Sequence, residues 1–298
     1  MNAIKTENLT KFYGKSRGIT EVSLCVEEGD FFGFIGPNGA GKSTFIRTLL
    51  GLISKSGGSA EIFGKDIEKC RIENLSRIGY LPSESAFYEG MRVKDLLSFS
   101  ANMRKKDCKK EADALLCRLE LDPDKKIGEL SLGNRKKAGI ICALQHRPDL
   151  CILDEPTSGL DPLMQKEFFS ILKERNEEGA TIFLSSHVLP EVSRHCRRAA
   201  IIREGRILAC DLVEKLGYTG VKKVVLRGMT ELPPIKEAKN MTLDADTVRF
   251  LYDGTPKDLL RELSLLKFTD FSVSDPEPDE VFLHYYAKKE QEHDRIFS

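Results

Sequence analysis

The stretch Gly36-Pro37-Asn38-Gly39-Ala40-Gly41-Lys42-Ser43-Thr44 sets three glycines ahead of a lysine and two hydroxyls. Glycines at this spacing let the backbone turn so that successive N–H groups face one point, a cradle for phosphate oxygens. Lys42 adds a point charge for the outer phosphates and Ser43 a hydroxyl for Mg²⁺, the pattern of a Walker A loop. A pair of carboxylates, Asp154-Glu155, closes the apolar run Leu150-Cys151-Ile152-Leu153. This reads as Walker B, with Asp154 holding the cation through water and Glu155 orienting or polarising the attacking water. His187 closes a third run, Thr181-Ile182-Phe183-Leu184-Ser185-Ser186, where it can contact a γ-phosphate.

Such groups act together only if the chain brings them to one edge. The runs Phe31–Ile35, Leu150–Asp154 and Thr181–Ser186 read as buried strands of a parallel sheet, and open α/β sheets place ligands at the C-terminal ends of their strands. The helix expected from Lys42 onward has Phe45, Ile46, Leu49 and Leu50 on its apolar side and turns its positive dipole end to the loop. An acidic turn or a lone histidine alone is a weak signal, and the shared edge gives both their weight.

Length and composition bound the rest. The chain has 298 residues, 41% hydrophobic and 31% charged, with 46 basic against 46 acidic side chains. That excludes a disordered or disulfide-scaffold chain and removes the usual electrostatic footprint of a nucleic-acid binder. No apolar run reaches the length that spans a bilayer, and the charged first residues lack the apolar block of a signal peptide. A cytosolic protein is expected. The eight cysteines form no Cys-x-x-Cys pair and are assigned no metal or catalytic role.

Three further strings complete a set. Leu130-Ser131-Leu132-Gly133-Asn134 precedes a helical pattern, Ser158-Gly159-Leu160-Asp161 follows Glu155, and Phe12-Tyr13-Gly14 lies near the N-terminus. Over about residues 1–216 the chain resembles the ABC-transporter nucleotide-binding domain, where these strings are the signature loop, usually LSGGQ, the D-loop and the aromatic A-loop. The resemblance implies an α/β P-loop NTPase fold of the ABC ATPase type with a helical subdomain, here about 84–147. It implies ATP held by residues 36–44 with Tyr13 on adenine, and Mg²⁺ at Ser43 and Asp154. Lys42, Glu155 and His187 become the catalytic set. Ser131, Gly133 and Asn134 cap the γ-phosphate held by another subunit, with Asp161 at the shared face. A head-to-tail homodimer or heterodimer enclosing two ATP molecules follows.

Two positions depart from the family pattern. Leu132 replaces the first signature glycine and makes that loop bulkier. Tyr80-Leu81-Pro82-Ser83-Glu84 has serine where the family has the Q-loop glutamine that touches Mg²⁺ and the attacking water. Ser83 working through a bridging water, or Glu84 taking over part of the role, are the two substitutes considered.

Residues 92–128 read as two helices, matching the family's permease-contacting subdomain, and the basic run 103–110 reads as a solvated helix junction, with an anionic-lipid contact as the second reading. Beyond Leu216, short strands at 222–226, 248–252 and 268–273 and helices at 257–266 and 280–287 suggest a small α+β C-terminal domain, 217–298. Its acidic cluster, Asp275, Glu277, Asp279 and Glu280, reads as a solvated helix start. The expected function is the ATP-hydrolysing subunit of an ABC transporter with a separate transmembrane permease, resembling ABC-2-type exporters. It would lie on the inner face of the membrane through that permease, with no nucleic-acid partner. The rivals are a soluble ABC ATPase acting on nucleic acid or ribosomes and a non-hydrolysing ATP-binding regulator.

Overall fold

The computed structural model describes residues 1–14, 16–217 and 222–274. The chain divides into two compact units, Met1–Val213 and one beginning at Glu214. Unit one opens with an antiparallel hairpin of β1 (Asn2–Tyr13) and β2 (Ser16–Glu27). The fully buried β3 (Phe31–Ile35) and α1 (Lys42–Leu49) follow. β4 (Gly57–Ile62) and β5 (Lys65–Asp66) complete an antiparallel sheet in the order β2-β1-β4-β5. After α2 (Arg71–Arg77) come β6 (Ile78–Leu81), α3 (Val93–Met103), α4 (Lys109–Arg118) and α5 (Leu132–Leu144). β7 (Leu150–Asp154), α6 (Pro162–Glu177), β8 (Thr181–Ser186), α7 (Leu189–His195), β9 (Arg198–Arg203) and β10 (Arg206–Leu212) complete the unit.

The second sheet has the order β10-β9-β3-β8-β7-β6, parallel except for β10. From β3 the chain crosses to the far edge at β6, walks back through β7 and β8, and then passes to the other side of β3. β3 therefore stands at the reversal of strand order, where open α/β sheets bind ligands. Register levels the strand ends: Ile35 lies beside Ser186 and Asp154 beside Ser185. The residues that follow, Gly36, Glu155 and His187, emerge at one edge.

Packing fixes that edge. Phe34 of β3 lies 4.9 Å from Phe45 of α1 and 5.3 Å from Phe183 of β8, ring centre to ring centre, in a core that also takes Ile4, Leu9 and Val22 from the antiparallel sheet. Aromatic contacts of this kind add to the burial term and hold α1, and the loop before it, against the strands. Arg118 of α4 donates to Glu167 and Glu174 of α6 and ties the helical segment to the rest of the unit. No helix among the described residues is long and apolar enough to cross a membrane.

The short α8 (Val213–Gly217) leads into the second unit. Its strands β11 (Lys222–Arg227), β12 (Ala238–Asp244), β13 (Thr247–Tyr252) and β14 (Asp270–Ser274) form an antiparallel sheet in the order β12-β13-β11-β14. α9 (Pro256–Leu263) adds Leu259 and Leu263 to a core of Val224, Leu226, Val248, Phe250 and Tyr252. The strand at β12 is absent from the sequence expectation, because its mostly exposed side chains give no apolar run. The helix expected at 257–266 ends at Leu263. The helix expected at 280–287 and the acidic cluster at 275–280 lie outside the described residues.

Candidate active site

The loop between β3 and α1 wraps a cleft of about 270 Å³ lined by Gly18, Pro37, Asn38, Gly39, Gly41, Lys42, Ser43, Thr44, Ser83 and Glu155. Gly39 and Gly41 have φ of 79° and 105°, the left-handed region that suits glycine. Gly36 and Ala40 face inward instead: a Cβ on Gly36 would sit 2.3 Å from the Ile202 carbonyl, and Ala40 is buried. Lys42 is 5% exposed. Its Nζ donates to the carbonyls of Gly36 (2.6 Å) and Pro37 (3.2 Å) and lies 3.1 Å from Glu155 Oε1. The lysine is thus held over the loop by groups that a phosphate oxygen can replace.

Opposite stand the carboxylates. Asp154 is buried and accepts from Ser43 Oγ at 2.7 Å and Ser185 Oγ at 2.9 Å. A carboxylate beside a hydroxyl is a hard-oxygen set suited to Mg²⁺, so the residues present fit that ion. Glu155 follows in the left-handed conformation, φ 49°, with its N–H donating to Ser185 O. His187 Nδ1 donates to Glu155 Oε2 across 2.7 Å. One carboxylate therefore faces a lysine on one side and an imidazole on the other, an arrangement that can orient a water and take its proton.

The remaining expected residues fall elsewhere in the unit. Ser131 caps α5, its Oγ accepting from Asn134 N at 3.3 Å, so the helix starts at Leu132 with Gly133 in its first turn. This turn is exposed, Leu132 at 73%, and does not line the cleft. Asp161 caps α6 through the N–H groups of Leu163 and Met164. Gly159 lies against the α5 turn, its carbonyl 2.6 Å from where a Cβ on Gly133 would stand. Ser83 reaches the cleft, whereas Glu84 is exposed and does not line it. The half-exposed Tyr13 ring stands beside Gly18, its Cε2 3.2 Å from the Cβ position of that glycine.

Four residues with a place in this geometry have no role in the sequence reading. Gly18 lines the cleft, and a Cβ there would meet Lys11 O at 2.6 Å. Ser185 holds Asp154. Glu191 accepts from Thr157 Oγ1 (2.7 Å) and Ser186 Oγ (2.9 Å), joining the turn after Glu155 to the strand end before His187. Lys136 donates to the carbonyls of Pro82 and Ser83. The available signals were a glycine inside a strand, the doubled serine before His187 and a glutamate one helical turn after it.

Known proteins resemble this chain in sequence and in fold. The profile of the family described as ABC transporter matches residues 19–158. The bacitracin transport ATP-binding protein BcrA of Bacillus licheniformis is 40% identical over 226 residues, covering 74% of this chain and 71% of that protein. A solved ATP binding subunit of an ABC transporter superposes with a TM-score of 0.67 at 28% identity, covering 72% of this chain and 91% of that one. The dimeric bacterial ABC transporter cassette MJ0796 gives a TM-score of 0.62 at 26% identity, over 70% and 98% of the two chains.

Proposed function

The chain belongs to the ABC transporter ATP-binding proteins, ATPases of the P-loop fold, and from that premise we propose that it drives an exporter whose permease is a separate polypeptide. The observation that carries this reading is the meeting of Lys42, Ser43, Asp154, Glu155 and His187 at one edge of the parallel sheet. The name of the bacitracin transport relative supports transport of drug-, peptide- or antibiotic-like cargo.

The cleft takes the phosphates of ATP, and at about 270 Å³ it leaves the adenosine outside, on the side of Gly18 and Tyr13. Backbone N–H groups of residues 36–44 and the α1 N-terminus bind the phosphates. The Lys42 ammonium exchanges the two carbonyls and Glu155 for phosphate oxygens, which frees Glu155 to accept a proton from water. His187 keeps that carboxylate in place and lies toward the γ-phosphate. Mg²⁺, when bound, neutralises phosphate charge; Ser43 and Asp154 would hold it, with Ser83 on the same cleft wall.

The α5 turn of Ser131, Gly133 and Asn134 caps the γ-phosphate bound by a second subunit, identical or related, with Asp161 at the shared face. Two chains then enclose two ATP molecules. The permease docks at a groove of about 370 Å³ lined by Phe87, Tyr88, Leu96, Phe99 and Met103, an apolar surface rimmed by Arg104. This contact holds the protein on the cytoplasmic face of the membrane.

Purified with its permease, the parent hydrolyses MgATP, whereas Glu155→Gln binds ATP with parental affinity and turns over about a thousandfold more slowly. Absence of hydrolysis by the parent refutes the motor reading.

A further inference from the structure

Lysine is almost never fully buried without partners, and Lys136 of α5 is 4% exposed. Its ammonium donates to Ser83 O at 2.9 Å and Pro82 O at 3.2 Å. Asp154 and Glu155 are close enough to act on it electrostatically. Burial pulls its pKa down to about 8, against the pull of those two carboxylates, so near neutral pH it remains largely a cation.

The helix that carries it has little slack. A Cβ on Gly79 of β6 would lie 2.1 Å from the Ala143 carbonyl, and one on Gly139 of α5 would lie 2.9 Å from both Leu81 Cδ1 and Ser85 Oγ. Two glycines, one on each element, let α5 and the β6 strand with its following turn approach closely. A shift of α5 therefore presses on β6 and on the residues after it.

We propose that Lys136 is a positioning residue for hydrolysis: it ties the helix that begins at the Ser131 cap to the Pro82-Ser83 turn and holds Ser83 against the phosphate cleft. The inference rests on the ATPase reading and extends it. One helix carries, at its N-terminus, the turn that meets the second subunit's ATP and, one turn further on, the lysine that fixes the wall of its own cleft. The same turn runs on into Phe87 and Tyr88 of the apolar groove. Serine at position 83 is too short to secure the wall by its side chain alone, and the ammonium secures it through the backbone.

Lys136→Met keeps length and volume but removes both donors and charge, and Lys136→Gln returns a shorter neutral donor. The expected result for Lys136→Met is a kcat about tenfold lower with KM within about twofold of the parent. Amide exchange at residues 83–88 becomes about tenfold faster, and Lys136→Gln falls between the other two. Should Lys136→Met not fold, Lys136→Gln decides, with a kcat about threefold lower and faster exchange at 83–88 expected. The proposal is overturned if the folded variants match the parent in kcat and exchange, or if glutamine and methionine give equal losses accompanied by a raised KM. Exchange is read without turnover, so it tests the tether even if the parent proves inactive and the ATPase reading falls.

Discussion

The loop before α1 and the turn before α5 both offer a phosphate a helix N-terminus, glycine and a hydroxyl, yet they are finished to different degrees. The first is enclosed: Lys42 is buried, its ammonium has three partners, and facing carboxylates line up through strand register. The second stands in solvent, with Ser131 accepting from Asn134 of its own helix and Leu132 73% exposed. A helix N-terminus alone binds anions weakly, and it gains strength when a lysine, a rigid floor and desolvation join it. The contrast supports one chain as the holder of half an active site, the α5 turn being complete only against another phosphate loop.

The largest effect comes from breaking the finished half. Lys42→Met removes the charge that faces the phosphates, and both ATP affinity and turnover fall, turnover by about a thousandfold in a steady-state assay. Parental turnover in this variant erases the distinction between the two turns.

Ser131→Arg breaks the unfinished half. Nucleotide affinity, measured by titration with a fluorescent ATP analogue, stays parental while turnover drops about a hundredfold, because the phosphate loop is untouched and only the cap is blocked. If affinity for nucleotide falls as much as turnover, the α5 turn serves its own chain's cleft.

A smaller effect, on stability, is read by pH at the far end of α5. His146, just beyond α5, is buried, and its Nε2–H donates to Ile78 O at 3.1 Å while Nδ1 has no partner among the described residues. Burial, helped by the Arg104 cation, lowers its pKa from 6.5 to about 4. The unfolded chain therefore takes up the proton first, so stability is full above about pH 6.5 and is lost as pH falls toward 4. By pH 5 the loss is about 2 kcal/mol. Denaturant titrations at pH 7 and 5 should show this slope in the parent and its loss in His146→Gln.

The strand ends that carry the phosphate loop and the carboxylates were legible in the sequence, and the α5 turn through its family resemblance, whereas the tertiary approaches that support both were not. β3, β7 and β8 are buried on both faces, so their apolar runs announce them and the residues at their ends. β1 alternates only from Ile4 to Glu7, with Lys5 and Glu7 exposed between buried Ile4 and Thr6, before register shifts break the pattern. Lys136 and Lys137 sit in the helical pattern that follows the signature loop with nothing local to mark them as interior, yet both are buried because α5 packs closely on β6. Gly18 shows its role only when a strand, an aromatic ring and the phosphate loop converge on it. Local pattern reveals strands that end in chemistry, whereas tertiary approach decides which charged side chains turn inward.

The most direct test of the two-chain site is the molar mass of Glu155→Gln with MgATP, measured by light scattering. The account predicts twice the mass of one chain with two ATP molecules bound, and the mass of a single ATP-bound chain when Ser131→Arg is added. A single-chain mass for Glu155→Gln with ATP bound, or an undiminished dimer in the double variant, contradicts it.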